Sequence, residues 1–230
     1  MFQKSSEEIG IWFQKEYSNR KRIFLNMKDL KRKIHYWCSD TMQNKITGKG
    51  VVCAVLDTGI TQHPDFAGRI VGWKDCVQGK KTIYDDNGHG THVAGLAAGD
   101  GTASMGKYRG AAPGCGIISL KVLDRYGNGS QEDLLRAIRW IQEYRKQYRI
   151  RVVNISVGTT CNSKKEDSRL LESVEELWDE GMVIVTAAGN QGPKPGSITA
   201  PGNSRKVITV GSSDLLEGQS AISGRGPTKE

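Results

Sequence analysis

The sequence predicts an α/β domain built on a mostly parallel sheet with helices on both faces. Three observations carry that reading. Five apolar runs rich in β-branched residues show no alternating polar face, which suits strands buried on both sides. Stretches with helical spacing lie between these runs, and strand and helix in alternation make a parallel sheet covered on both sides. The 28 glycines among 230 residues, roughly 12% against a usual ~7%, sit within and at the ends of the apolar runs, where tight turns bring backbone close to a ligand. A chain of this length can bury a substantial core as a single domain.

Each element has its own signal. Residues 5–17 read as an amphipathic helix, with Ser5 and Glu8 in capping-box spacing and Ile9, Trp12, Phe13 and Tyr17 on one face. "NKITGKG" (44–50) breaks that pattern, so residues 1–45 are expected to form a basic extension and 46–230 the domain. The expected strands are "VVCAVLD" (51–57), "IISLKVLD" (117–124), "VVNISVG" (152–158), "MVIVTAAGN" (182–190) and "VITVGSS" (207–213). The expected helices are "HVAGLAAG" (92–99), "SQEDLLRAIRWIQEYRKQ" (130–147) and "SRLLESVEELWDEG" (168–181). Ser130 is the N-cap of the second, whose Leu134, Leu135, Ile138 and Ile141 share one face; Gly181 ends the third.

Charge and cysteine content exclude several function classes. The formal charge is +8, but residues 1–50 hold 11 Lys or Arg against 5 Asp or Glu, so the rest of the chain is close to neutral. "NRKR" (19–22) and "KDLKRK" (28–33) could hold a nucleic acid or an anionic surface, but solvated helix faces are the favoured reading, since no stacking aromatic series or nucleic-acid motif accompanies them. Cys38, Cys53, Cys76, Cys115 and Cys161 are odd in number and lack C-x-x-C spacing, which argues against a disulfide framework or a zinc site and for reduced thiols. No signal-peptide h-region and no membrane-spanning run is present, so a cytoplasmic location is expected.

In an open parallel sheet the ligand lies beyond the carboxyl ends of the strands. Three polar residues end apolar runs there. Asp57 closes "VVCAVLD", where a carboxylate is desolvated unless something donates to it. The ordinary alternative is a turn aspartate; the D-T-G of aspartic peptidases would need a second copy and an all-β scaffold. His89, between Gly88 and Gly90, opens a small-residue helix and is left sterically open for proton exchange near neutral pH. A metal pair with His92 lacks a third ligand nearby. Asn190 ends the strand "MVIVTAAGN" with an amide able to donate to an oxyanion, although a lone asparagine there is more often a turn residue.

"VLDTGI", "NGHGTHVAG", "NISVG" and "AAGN" occur in this order, together with "KYRGAAPG" (107–114), "KVLD", "ITVGSS" and "SGRGPT". In these motifs the sequence resembles the subtilisin-like serine peptidases, or subtilases, from about residue 46 onward, and "GTASMGKYRGAAPG" is most similar to their intracellular branches. The resemblance implies a three-layer sandwich and an endopeptidase acting on polypeptides. Asp57 would orient His89, His89 would act as general base, and Asn190 would donate to the oxyanion. Ser156, Val157, Gly158, Ala187, Ala188 and Gly189 would wall the substrate pocket. No nucleic-acid or membrane partner is expected, and the chain is expected to be monomeric.

The family nucleophile is a serine in G-T-S-[MA]-x-P, beyond the asparagine. Ser104 does not qualify: it lies fifteen residues after His89, and about twelve residues of helix would separate the two by roughly 18 Å. After Asn190 only Ser197, Ser204, Ser212, Ser213, Ser220 and Ser223 remain, none in G-T-S. The expectation is a domain incomplete at its C-terminus, inactive by itself, with apolar surface left uncovered; the alternative is an inert peptide-binding pseudo-peptidase. Calcium is common in the family and Asp65 aligns with a frequent ligand, but the 99–109 stretch replaces the completing loop, so no metal and no cofactor are assigned.

Overall fold

The computed structural model describes residues 46–158, 164–212 and 222–228. The helix expected over 5–17, the basic clusters at 19–22 and 28–33, Cys38, Cys161, Ser213 and Ser220 lie outside the described residues. Six parallel strands make one sheet: β1 (Val52–Asp57), β2 (Ile70–Asp75), β3 (Gly116–Lys121), β4 (Ile150–Ile155), β5 (Val183–Ala187) and β6 (Ile208–Val210), in the order β2-β3-β1-β4-β5-β6. Three helices cover it: α1 (His89–Ala98), α2 (Gln131–Tyr148) and α3 (Lys164–Asp179).

Both faces of the sheet are buried along its central strands β1 and β3, as their apolar sequences require. Along β1, Cys53 and Val55 pack with Ala94 and Ala98 of α1 and with Phe66, whereas Ala54 and Leu56 pack with Leu134 and Ile138 of α2 and Leu170 and Val174 of α3. Period-two alternation therefore puts Asp57, the next odd-numbered residue, on the face where α1 begins. The chain winds from β1 to one side through β2 and β3 and later to the other side through β4. The carboxyl end of β1 is thus the switch point where such sheets bind ligands.

Helix boundaries follow local chemistry. Ser130 accepts from the Asp133 amide while the Asp133 carboxylate reaches back to the Ser130 amide, a capping box at the start of α2. Gly181, at φ +88°, ends the turn after α3, with its amide donating to Trp178 O and the Met182 amide donating to Leu177 O.

Two strands differ from the sequence expectation. β2 escaped it because "IVGWKD" carries Gly72 and Lys74 and lies at the sheet edge, so its apolar run is interrupted. Gly72 is needed there: a Cβ would lie 3.0 Å from Ile118 Cγ1 and 3.5 Å from the Trp140 ring. β6 is only three residues long, with Ile208 and Val210 about half exposed. Among the described residues no helix is long and apolar enough to cross a membrane.

Candidate active site

The carboxyl end of β1 and the amino end of α1 meet in one hydrogen-bonded cluster. Asp57 is fully buried, and its Oδ1 lies 2.8 Å from His89 Nδ1 while accepting the Thr58 amide at 2.7 Å. Among the described residues nothing donates to Asp57 Oδ2. A buried carboxylate of this kind holds the proton of a neutral imidazole on Nδ1, leaving Nε2 as the acceptor. The His89 ring is half exposed. Its pKa is raised above the ordinary 6.5, first by the hydrogen bond that His89 donates to Asp57; partial burial opposes this, and the charges of Asp57 and Asp85 add to it.

The pair is held from behind by Thr58 and Asp85. Thr58 Oγ1 donates to Asp85 Oδ1 (2.9 Å) and accepts the Gly90 amide (2.9 Å), tying the turn after β1 to the first turn of α1. Asp85 also accepts the Asn87, Gly88 and Thr91 amides and the Thr91 hydroxyl, at 2.5–3.1 Å. Burial pushes the Asp85 carboxyl up, but these donors outweigh it and hold it below the usual carboxylate range. The close approach of α1 to β1 requires Gly90, whose Cβ would fall 2.3 Å from Gly59 O and 3.1 Å from Asp57 Cβ.

The second half of the site lies two strands away. β4 separates β1 from β5, so two strand spacings, about 10 Å, lie between Asp57 and the end of β5. Asn190 is exposed, three residues past the last residue of β5. Ser156, Val157 and Gly158 follow β4, and Ala187 ends β5 with Ala188 and Gly189 just beyond it, so the two segments leave adjacent paired strands side by side. Thr199 fixes their junction: a Cβ on Gly158 or on Gly189 would lie 2.5 or 2.3 Å from its Oγ1. Gly189, at φ +81°, receives the Gly224 amide on its carbonyl at 2.8 Å, which brings residues 222–228 against this wall. Val157 packs on the core and Ala188 is buried, so these two shape the wall from behind.

Ser104 sits in a 3-10 turn (Thr102–Ser104) beyond the far end of α1, its hydroxyl donating to Gly101 O and accepting the Tyr108 amide. It is a loop residue. Thr58, Asp85 and Thr199 were not singled out from sequence. The "YDDNGHGTH" string was the available signal for Asp85, because an aspartate shortly before a helix that starts without a side-chain cap is placed to take up its free amides.

The surroundings of Asp65 are already bonded within the chain. Asp65 Oδ1 accepts the Ala103 amide at 2.7 Å, and its carbonyl accepts the Arg69 guanidinium and the Asp100 amide. Arg69 also donates to Ala98 O (2.5 Å) and Cys115 O (3.1 Å), so a fixed organic cation already occupies the acceptors around this aspartate. Among the described residues no group of three or more His, Cys, Asp or Glu could hold a metal. Cys53, Cys76 and Cys115 are free and buried, and burial pushes the thiols of Cys53 and Cys76 up to about 12 and about 11.

Comparison with known proteins gives a consistent result. The sequence profile of the Subtilase family (Peptidase_S8) matches residues 48–229. The chain is 43% identical over 195 residues to the serine protease AprX of Bacillus subtilis, covering 80% of this chain and 44% of that protein. It is 35% identical over 177 residues to thermitase of Thermoactinomyces vulgaris, covering 76% and 60%. Among solved structures, the S41 psychrophilic protease superposes with a TM-score of 0.67 at 34% identity, covering 80% of this chain and 61% of that one. A cold-adapted subtilisin-like serine proteinase gives 0.63 at 30%, covering 78% and 60%. The chain spans 44% to 60% of the length of the two curated relatives.

Proposed function

The chain belongs to the subtilase family, and from that premise we propose that it forms most of the catalytic centre of a serine endopeptidase acting on polypeptides. The observation that carries the reading is the 2.8 Å contact between His89 Nδ1 and a fully buried Asp57. Asp57 holds His89 in the Nδ1–H tautomer and stabilises the imidazolium. His89 Nε2 takes the proton of an attacking hydroxyl and returns it to the leaving amine. The Asn190 amide donates to the oxyanion of the tetrahedral intermediate. Segments 156–158 and 187–189 flank the residue on the acyl side of the scissile bond, the first pairing with substrate backbone as an added strand. Proton transfer and oxyanion stabilisation are supplied by side chains, so the reaction as assigned uses no cofactor.

The nucleophile is assigned to a serine outside these 230 residues. Ser104 has its hydroxyl bonded within its own turn, Ser204 donates to Glu175, and Ser197 donates to Lys194 O. A fluorophosphonate probe and a peptide substrate test the assignment on two polypeptides, residues 1–230 and the same chain extended through its downstream coding sequence. Labelling and hydrolysis are expected in the extended chain only. Robust labelling within residues 1–230 would overturn the assignment. Peptide binding with neither labelling nor hydrolysis in the extended chain would favour a binding module instead.

A further inference from the structure

Lys121 is the one buried cationic side chain among the described residues, and its exposure is 0%. It ends β3, in register with Asp57 of β1 on one side and Asp75 of β2 on the other. Alternation from Ile117 through Ser119 puts it on the α1 face of the sheet, as for Asp57. Its ammonium donates to Thr58 O at 2.6 Å and to Asp86 Oδ1 at 2.6 Å. The Tyr84 ring lies over it, 4.9 Å from ring centroid to Nζ, and the Tyr84 hydroxyl donates to Asp75. The Asp75 carboxylate is itself filled by that hydroxyl and the Val77, Gln78 and Lys80 amides, so Lys121 is directed to Thr58 and Asp86 instead.

Thr58 is the residue through which this matters. Its amide donates to Asp57 Oδ1, its hydroxyl joins Asp85 to the Gly90 amide, and its carbonyl accepts Lys121. One ammonium thus clamps the turn after β1 to the loop that precedes His89. An ammonium without partners at this depth would be strongly disfavoured, and breaking a buried pair exposes that cost. Resting on the reading of Asp57 and His89 as a proton relay, we propose that Lys121 is a positioning residue of that relay, holding Thr58 by its carbonyl, with Asp86 as the counter-charge, so that the Asp57 carboxylate stays aimed at His89 Nδ1.

The test is an NMR titration of His89 in the 230-residue chain, following its ring nitrogens and the Nδ1 proton. Wild type is expected to show an Nδ1 proton at low field and a titration midpoint above that of an ordinary histidine. Lys121→Met should weaken or abolish that proton signal and lower the midpoint by roughly 0.5 to 1 pH unit, because the hydrogen bond to Asp57 loosens. The sign separates this from a charge effect, since removing a nearby positive charge by itself raises the midpoint. Asp86→Asn removes the counter-charge of Lys121 and should lower stability, yet leave the His89 signal in place because Thr58 O is still held. If Lys121→Met does not fold, Lys121→Gln serves as the neutral variant. A folded neutral variant with an unchanged or raised His89 midpoint overturns the proposal. A wild-type chain lacking both the low-field proton and the raised midpoint would instead overturn the Asp57–His89 reading on which it rests.

Discussion

The two halves of the site are built on opposite plans. Around Asp57 and His89 the bonding is dense before any substrate arrives: Asp57 accepts the Thr58 amide, Asp85 accepts the Thr58 hydroxyl and the Gly88 and Thr91 amides, and the Thr58 hydroxyl accepts the Gly90 amide. At the end of β5 the amide of Asn190 is exposed, and its neighbourhood is shaped by glycines packed against Thr199. On the function proposed above, the difference follows from what each half would have to do. A proton relay needs its tautomer fixed in the resting protein, so its bonds are already formed. An oxyanion donor is useful only if its partner appears in the transition state, so its donor capacity must remain unspent.

Substitutions at the two ends test this contrast. In the extended chain, Asp57→Asn should lower kcat by about 10⁴, because an amide facing Nδ1 favours the wrong tautomer; a loss under tenfold would break the proton-relay side of the comparison. Asn190→Ala should lower kcat by about 10² to 10³ with little change in KM, a magnitude established for a subtilisin rather than derived from this geometry. Because Asn190 is exposed, its removal should change the stability of the 230-residue chain by no more than ~0.5 kcal/mol. Gly90→Ala sharpens the comparison further. Its Cβ would meet Gly59 O at 2.3 Å, so a loss of about 1 to 3 kcal/mol in chemical denaturation is expected, together with a disturbed His89 titration. Gly189→Ala should also destabilise, through its positive φ and Thr199, while leaving His89 unmoved.

Much of this was legible in the sequence, for a physical reason that also marks where legibility stopped. Strands buried on both faces must be apolar throughout, so β1, β3, β4 and β5 stood out, as did Asp57 and Asn190 where the apolar runs meet polar residues. β2 did not, because an edge strand can carry Gly72 and Lys74. The supporting residues were hidden for another reason. Thr58 and Asp85 were not singled out because their bond joins positions 27 apart, which only the fold brings together. Lys121 lies inside an expected buried strand with no sign of what would neutralise it, and Asp86 and Thr58 O, far off in the chain, converge on it. Pairing of that kind is written in the topology, and no local pattern of residue types encodes it.

The smallest expected effect is on pH dependence, and it bears on the proton-relay half only. The folded-state pKa of His89 is raised, chiefly by the hydrogen bond it donates to Asp57. Catalysis needs the neutral base, so kcat/KM should rise with pH along a limb whose midpoint lies above the ordinary 6.5. Stability runs the other way. A group whose pKa is raised by folding contributes stability that is complete below its unfolded value and disappears as pH climbs through its folded value. The melting temperature of the 230-residue chain should therefore fall slightly from just below 6.5 to above the folded value. Half-exposure of the ring keeps the size of that fall small. Asp75 and Asp85 do not interfere: both are held below the usual 3.8, so what they contribute is lost only in acid, well under this window. Asp57→Ala should flatten the His89-linked slope and return the imidazole midpoint toward 6.5, whereas Asn190→Ala should leave both as they are. A slope that survives Asp57→Ala would mean that Asp85, and not Asp57, holds the imidazolium.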